Sequence, residues 1–177
     1  MGFDPKKHHR RSIRLKRYDY SQEGLYFITI CTKKGAHLFG RIENGVMSLN
    51  AMGQIAEKCW LAIPDHFPQA VLHAYVIMPN HIHGIIEIAA FVGAKNCSPP
   101  KSSQQRANGT SQTVGSIVRG FKIGVTKWAR INTRIREVWH RNYYENVIRS
   151  GKTYYLISNY ILNNPANWKK DKFHSGF

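Results

Sequence analysis

Acidic residues are scarce in this chain, and their scarcity restricts the partners it can have. Its 177 residues include 10 Asp and Glu against 26 Lys and Arg, which leaves a formal net charge of +16. A surface with such an excess repels itself unless it meets a polyanion. Nucleic acid is the expected partner. An anionic membrane surface ranks second, because no amphipathic helix with a basic face and a bulky apolar face is evident. A soluble enzyme that is merely basic is a further alternative.

Cysteine and long apolar segments are also scarce. Cys31, Cys59 and Cys97 are scattered and show neither the spacing of zinc ligands nor a disulfide framework, so we expect a reducing cytoplasm. No apolar run approaches the roughly 18 residues of a membrane span. The basic N-terminus lacks the apolar core of a secretory signal. We therefore expect a cytoplasmic protein with one domain and no membrane segment.

Hydrophobic periodicity predicts an alternation of strands and helices. Strands are expected over 25–32, 71–77 and 82–90 and within 138–149, a hairpin over 38–49, and helices over 51–63, from 114 onward and over 151–163. This order predicts an α+β fold: a central, mainly antiparallel β-sheet with helices packed on it. Residues 1–22 are interpreted as a basic arm, 23–165 as the domain, 91–112 as a flexible loop within it, and 166–177 as a basic tail.

Two histidines one residue apart are the most informative local feature. His81 and His83 follow a Pro-Asn turn and lie in an apolar, β-branched segment that predicts a strand. Because side chains alternate along a strand, both imidazoles point to the same face, which Glu87 shares. Two imidazoles on rigid backbone are part of an open divalent-metal site, and Glu87 is either a partner of an imidazole or a polar strand end. The alternative is an edge strand with two solvated polar residues.

A tyrosine and an asparagine in the last predicted helix form a second feature. Tyr160 and Asn164 are four residues apart, so they project from one helix face. Tyrosine supplies an oxygen nucleophile, and asparagine supplies a carbonyl oxygen suited to a metal beside two imidazoles. Taken alone, the pair is more typical of amphipathic packing followed by a helix terminator.

The two features together resemble those of a known family. Met-Pro-Asn-His-Ile-His-Gly at 78–84 and Tyr-Ile-Leu-Asn-Asn-Pro at 160–165 resemble the single-tyrosine transposases of the HUH superfamily, and more narrowly the REP-associated tyrosine transposases. The resemblance covers nearly the whole chain, including Arg-Arg-Ser-Ile-Arg-Leu at 10–15 and Tyr-Phe-Ile-Thr-Ile-Cys-Thr at 26–32. It implies a ferredoxin-like or RRM-like HUH nuclease core.

The resemblance also implies a mechanism. His81, His83 and Asn164 would hold Mg²⁺ or Mn²⁺, and Tyr160 would attack a phosphate of DNA to form a 5′-phosphotyrosine and release a 3′-hydroxyl. Such a protein nicks single-stranded or hairpin DNA at palindromic repeats and rejoins strands. The wider single-tyrosine branch often carries Gln at the position of Asn164. It acts as a homodimer, whereas the REP-associated branch can act as a monomer.

Several further residues have two readings each. The predicted DNA contacts are Arg10, Arg11, Arg14, Lys16 and Arg17 of the arm, with Arg119 and Lys122 of the middle helix; the alternative is a solvated basic surface. Tyr143 and Tyr144 are rival nucleophiles that more plausibly pack or stack on a base. Trp168 either stacks on a base or anchors the C-terminus. The rival functions are a catalytically silent nucleic-acid-binding protein of the same fold and a metal-dependent hydrolase of small phosphoesters.

Overall fold

The computed structural model describes residues 22–89 and 113–174. The predicted arm contacts Arg10, Arg11, Arg14, Lys16 and Arg17 and the predicted loop 91–112 lie outside the described residues. The strands are β1 Gly24–Cys31, β2 Gly40–Glu43, β3 Val46–Leu49, β4 Ala70–Ile77, β5 His81–Ile88 and β6 Tyr144–Ile148, and the helices are α1 Ala51–Leu61, α2 Ile63–His66, α3 Val114–Asn132 and α4 Gly151–Leu162. No helix in this part of the chain is long and apolar enough to cross a membrane.

The main sheet confirms the predicted α+β class. It has the order β4-β5-β1-β6 with every neighbouring pair antiparallel, and β2 and β3 form a separate two-stranded sheet. Since β5 runs antiparallel to both β1 and β4, the connection from β1 to β4 joins two parallel strands, and so does the connection from β5 through α3 to β6. Two interleaved crossovers of this kind define the ferredoxin-like arrangement.

The two faces of the main sheet bury different amounts of apolar surface. The large core lies between one face and helices α1 and α3, and it includes Tyr26, Ile28, Ile30, Ile82 and Ile86. On the opposite face Ile85 and Ile148 of the sheet pack against Ile161 of α4 in a small cluster. Because side chains alternate along β5, the odd-numbered residues of this strand face α4. His81 and His83 therefore share a face with the last helix.

The local signals in the sequence explain how these elements begin and end. The Asn50 side chain accepts a hydrogen bond from the Gly53 N–H at 2.9 Å and caps α1. The β2–β3 hairpin turns at Asn44 and Gly45, both with positive φ, as a two-residue turn of this kind requires. The helix predicted to end at residue 63 ends at Leu61, and the separate helix α2 begins at Ile63. Pro64 lies in the first turn of α2, where its missing N–H costs no hydrogen bond.

Candidate active site

Strand β5 presents two buried imidazoles to α4. His81 and His83 are almost completely buried, and their ring centroids are 4.4 Å apart. The next residue, Gly84, faces the other side of the sheet, where a Cβ atom would overlap the Trp60 ring. The strand is thus held close to the main core, and the positions of both histidines are fixed by the sheet rather than by a loop.

The Asn80 side chain determines which nitrogen of His81 carries a proton. Its Nδ2 donates to the backbone oxygens of Phe173 at 2.7 Å and Gly35 at 3.2 Å, so Oδ1 points to Nδ1 of His81 at 2.9 Å. An amide oxygen can only accept, and therefore the proton lies on Nδ1 and the lone pair on Nε2. That Nε2 is buried and has no hydrogen-bond partner within 22–89 and 113–174. An unpaired buried acceptor costs about 1–3 kcal/mol, and a metal ion bound to this nitrogen would offset that cost.

His83 is oriented in a similar way by its neighbour on β1. Thr29 pairs with His83 in the sheet register, and its Oγ1 lies 2.9 Å from Nδ1. Because a threonine hydroxyl can donate or accept, this contact orients the ring and is compatible with either tautomer of His83. The Tyr160 hydroxyl lies 3.2 Å from the other ring nitrogen, Nε2. His83 therefore directs Nε2 toward Tyr160 of α4.

Burial keeps both imidazoles neutral at physiological pH. It lowers the pKa of His81 to about 4, against a smaller opposing effect of the Asp171 carboxylate. It also lowers the pKa of His83 well below its ordinary value, and the neighbouring His81 and Lys172 act in the same direction. Since a metal binds neutral imidazole, no proton has to be displaced at pH 7.

Helix α4 and the turn that follows it bring oxygen atoms to the histidines. Asn164 is buried, its Nδ2 donates to Oδ2 of Asp171 at 3.0 Å, and its Oδ1 is buried with no partner among the described residues. The Tyr160 hydroxyl donates to the same Asp171 oxygen at 3.3 Å. Burial and then the Asp171 carboxylate raise the pKa of Tyr160 to about 12, so the phenol is protonated in this arrangement.

Asp171 is a candidate metal ligand that the sequence did not indicate. After Pro165 the chain makes a 3₁₀ turn over Trp168–Lys170 and returns to the histidines. The predicted basic tail thus packs against the site up to His174, with Trp168 and Phe173 buried. The donor atoms of His81, His83 and Asp171 all lie within 4.8 Å of one another. The sequence signal that could have indicated Asp171 is that it is the single carboxylate in the otherwise basic segment 169–172.

These donors fit a divalent cation. Two Nε2 atoms, a carboxylate oxygen and an amide oxygen form a mixed nitrogen and oxygen set of the kind that first-row divalent metals bind. The two unpaired buried atoms, Nε2 of His81 and Oδ1 of Asn164, are the ones that a cation would satisfy. His81, His83 and Asp171 could hold a metal ion, with the predicted ligand Asn164 beside them.

Glu87 lies on the predicted face but pairs with a different imidazole. Its Oε2 is 2.8 Å from Nε2 of His73, whose Nδ1 is 3.1 Å from the Tyr154 hydroxyl of α4. A bulge in β4 between Leu72 and Tyr75 turns His73 toward this face. The cluster therefore joins the first turn of α4 to the sheet, and Glu87 is the partner of His73 rather than of the His81–His83 pair.

The two rival tyrosines point to opposite faces of the sheet. Tyr143 packs against the main core, whereas Tyr144 is exposed and pairs with Thr29 on the face of the histidines. Two strand spacings separate the backbones of Tyr144 and His83, which is about 10 Å. Of the three tyrosines, Tyr160 is the one whose hydroxyl lies within hydrogen-bonding distance of a histidine of the pair.

The two predicted DNA contacts on α3 lie on the other side of the sheet. Arg119 is exposed. Lys122 instead donates to the backbone oxygens of His140 at 2.9 Å and Asn142 at 3.1 Å. This ammonium supports the turn that precedes β6. A DNA contact of Arg119 stays a prediction, and for Lys122 the structure offers a structural role that the sequence did not indicate.

The comparisons with known proteins agree with this fold. A solved structure of a REP-associated tyrosine transposase bound to a REP hairpin matches with a TM-score of 0.59 and 20% identity, covering 88% of this chain and 74% of that one. The chain therefore has the fold of a REP-associated tyrosine transposase, and the predicted resemblance is confirmed at that level. No protein-family model matches the chain.

A much closer sequence relative defines the family. An uncharacterized protein of Haemophilus influenzae (strain ATCC 51907 / DSM 11121 / KW20 / Rd) is 54% identical over 170 residues, which cover 94% of each chain. The chain belongs to the same family as that protein.

Proposed function

We propose that this protein is a metal-dependent transposase that nicks single-stranded DNA and transfers the strand through a 5′-phosphotyrosine on Tyr160. One observation carries the proposal. The Tyr160 hydroxyl lies 3.2 Å from Nε2 of His83, and two buried ligand-type atoms, Nε2 of His81 and Oδ1 of Asn164, have no partner among the described residues. Neither core packing nor a solvated surface explains why a hydroxyl lies beside two buried atoms that are free to bind a cation.

The chain's own residues account for the proton and the nucleophile. Tyr160 Oη attacks the phosphorus, and its proton passes to Oδ2 of Asp171, the acceptor 3.3 Å away. The bond from phosphorus to the 3′-oxygen breaks, and the leaving oxygen takes up that proton as a 3′-hydroxyl. A divalent ion held by His81 and His83 with Asn164 or Asp171, Mg²⁺ or Mn²⁺ by resemblance, would polarise the phosphate and offset the charge of the transition state. The covalent link retains the phosphodiester energy, so the reverse step joins strands.

The proposed partner is single-stranded DNA next to a hairpin. The net charge of +16 suits a polyanion. A protein of the same fold was solved bound to a REP hairpin. We extend that partner to this chain as part of the proposal. A small phosphoester as substrate does not account for the charge.

One observation favours a second candidate, a catalytically silent DNA-binding protein. The pKa of Tyr160, raised to about 12, keeps the phenol protonated at neutral pH. In this candidate the fold and the basic surface bind DNA, and the tyrosine never reacts. The two candidates make opposite predictions in a single assay.

The assay is incubation with an end-labelled hairpin oligonucleotide and Mn²⁺, followed by denaturing electrophoresis. We expect a protein–DNA adduct that survives denaturation and disappears in Tyr160→Phe, while Tyr155→Phe, an exposed tyrosine of the same helix, retains it. His81→Ala should abolish cleavage and largely preserve binding. Binding without any adduct would favour the silent protein, and an equal loss of binding and cleavage in His81→Ala would contradict the separate roles of site and surface.

A further inference from the structure

A groove lies between the β2–β3 turn and the segment that follows α4. Its volume is about 770 Å³, with Ile42, Asn44 and Gly45 on one wall and residues 165–170 and His174 on the other. Gly45 approaches the second wall closely, since a Cβ atom there would lie 3.4 Å from the Cα of Ala166. The two-stranded sheet, which takes no part in the histidine site, thus forms one side of an open channel.

The groove adjoins the active site. A smaller cavity of about 110 Å³ is lined by Tyr160, Asn164 and Asp171, and it shares Asn167 and Lys170 with the groove. The Trp168 ring forms a common wall, because it lines the groove and its centroid lies 6.0 Å from that of His81. A chain that lies in the groove is therefore next to the residues that surround Tyr160.

The chemistry of the groove suits a phosphodiester chain. Every charged side chain that lines it is basic, namely Lys169, Lys170 and, when protonated, His174. Both lysines are exposed, and neither takes part in the ion pairs found between described residues. Asn44 and Asn167 add amide groups that can donate to phosphate or pair with a base edge. A positively charged groove that follows the backbone is a usual feature of proteins that bind single strands.

We propose that this groove binds the single-stranded DNA that flanks the scissile phosphate, with Lys169 contacting a backbone phosphate. The inference rests on the proposed function, because it takes the substrate of the Tyr160 site to be a DNA strand that must leave the small cavity. The groove borders the site and carries the correct charge for a strand leaving it. It also assigns a role to the Asn-Trp-Lys-Lys segment and to the turn of the hairpin.

The test measures binding without cleavage. A fluorescently labelled dT12 strand is mixed with increasing amounts of the Tyr160→Phe protein or of the Tyr160→Phe, Lys169→Ala double variant. Binding is measured by fluorescence anisotropy at several salt concentrations. Loss of one phosphate contact on a single strand removes about 0.7 from the slope of log K against log salt, which corresponds to about fivefold weaker binding at about 0.1 M salt. Lys58→Ala removes the same charge from an exposed position of α1, on the opposite side of the sheet, and should leave the slope unchanged.

A crosslink identifies where the strand lies. The same oligonucleotide carrying bromodeoxyuridine is irradiated with the protein, and we expect the crosslinked peptides to include residues 165–174. Equal losses in Lys169→Ala and Lys58→Ala, or crosslinks located entirely outside 40–46 and 165–174, would overturn the proposal.

The binding and crosslinking results for the groove do not depend on whether Tyr160 reacts with DNA. If the wild-type protein forms no adduct but the groove results hold, the proposed reaction fails and the groove stands. If an adduct forms but Lys169 has no effect on affinity or slope, the groove fails and the proposed reaction stands.

Discussion

Metal binding should stabilise the folded protein, and His81→Ala should remove that stabilisation. Nε2 of His81 and Oδ1 of Asn164 are buried and have no partner among the described residues. Each unpaired buried group costs about 1–3 kcal/mol, and a bound cation relieves that cost. Because the unfolded chain holds no such arrangement of ligands, the binding free energy adds to the free energy of unfolding.

The size of the effect can be worked out from linkage. Metal at one hundred times its Kd adds about 2.7 kcal/mol to the free energy of unfolding. In a domain of this length each kcal/mol shifts Tm by about 2–4 °C, so Mn²⁺ should raise Tm by about 5–10 °C. Mg²⁺ should act in the same direction. The shift should grow with the logarithm of metal concentration once the site is saturated.

Thermal unfolding with and without Mn²⁺ is the assay. His81→Ala removes a fully buried side chain and lowers Tm by itself, so the quantity to compare is the Mn²⁺-induced shift of each variant. His73→Ala serves as the matched control, because this imidazole lies on the same face but bonds Glu87 and Tyr154. A wild-type shift of zero at millimolar Mn²⁺, or an undiminished shift in His81→Ala, would refute the assignment of the site.

The same histidine should make stability depend on pH. Its pKa is about 4 in the folded protein and near 6.5 in the unfolded chain, so the unfolded state binds more protons between these values. The contribution is therefore complete above about pH 6.5 and is lost as the pH falls toward 4, by about 3 kcal/mol. Denaturant titrations at pH 7 and pH 4.5 should show this loss in the wild-type protein, and His81→Ala should show a smaller one. An equal loss in the wild-type protein and in His81→Ala would contradict the burial of a neutral imidazole at this position.

Two further changes test the surroundings of the site. Gly84→Ala places a methyl group against the buried Trp60 ring, so we expect a loss of about 1–3 kcal/mol in chemical denaturation; Gly151→Ala, where nothing lies within 4 Å, should cause no such loss, and equal effects would contradict the close packing. Asp171→Asn removes a charge that raises the pKa of Tyr160, so ultraviolet titration of metal-free protein, with the Tyr160→Phe background subtracted, should show that pKa moving down from about 12. It should stay above the ordinary value because burial remains the larger cause, and no movement would exclude Asp171 as a neighbour of the phenol.

Much of the fold follows from short-range signals in the sequence. Alternation in β5 predicts that His81 and His83 share a face, and the structure confirms it. The Asn-Gly pair predicts the hairpin turn because both positions need positive φ. Apolar periodicity from residue 114 onward predicts α3, which begins at Val114 as expected. Each of these features depends on residues within a few positions of one another.

The missing parts of the site depend on contacts between residues that are far apart in the chain. Asp171 reaches the histidines because a 3₁₀ turn reverses the chain, and no periodicity predicts such a reversal. Asn80 fixes the tautomer of His81 through the backbone oxygens of Gly35 and Phe173, on opposite sides of it in sequence. Lys122 is predicted as a DNA contact from its charge, and the carbonyl oxygens that it bonds belong to residues 18 and 20 positions further along the chain. Long-range pairing of polar groups is what the sequence pattern leaves undetermined.

The central claim is that Tyr160 becomes covalently linked to DNA. The most direct measurement is mass spectrometry of the protein after reaction with a hairpin oligonucleotide and Mn²⁺, followed by proteolysis and nuclease digestion. We predict a peptide spanning α4 whose Tyr160 carries a nucleotide through its 5′-phosphate, formed only with divalent metal and absent in Tyr160→Phe. Unmodified Tyr160 under conditions in which the oligonucleotide is cut, or a modified Tyr143 or Tyr144 in its place, would contradict the account.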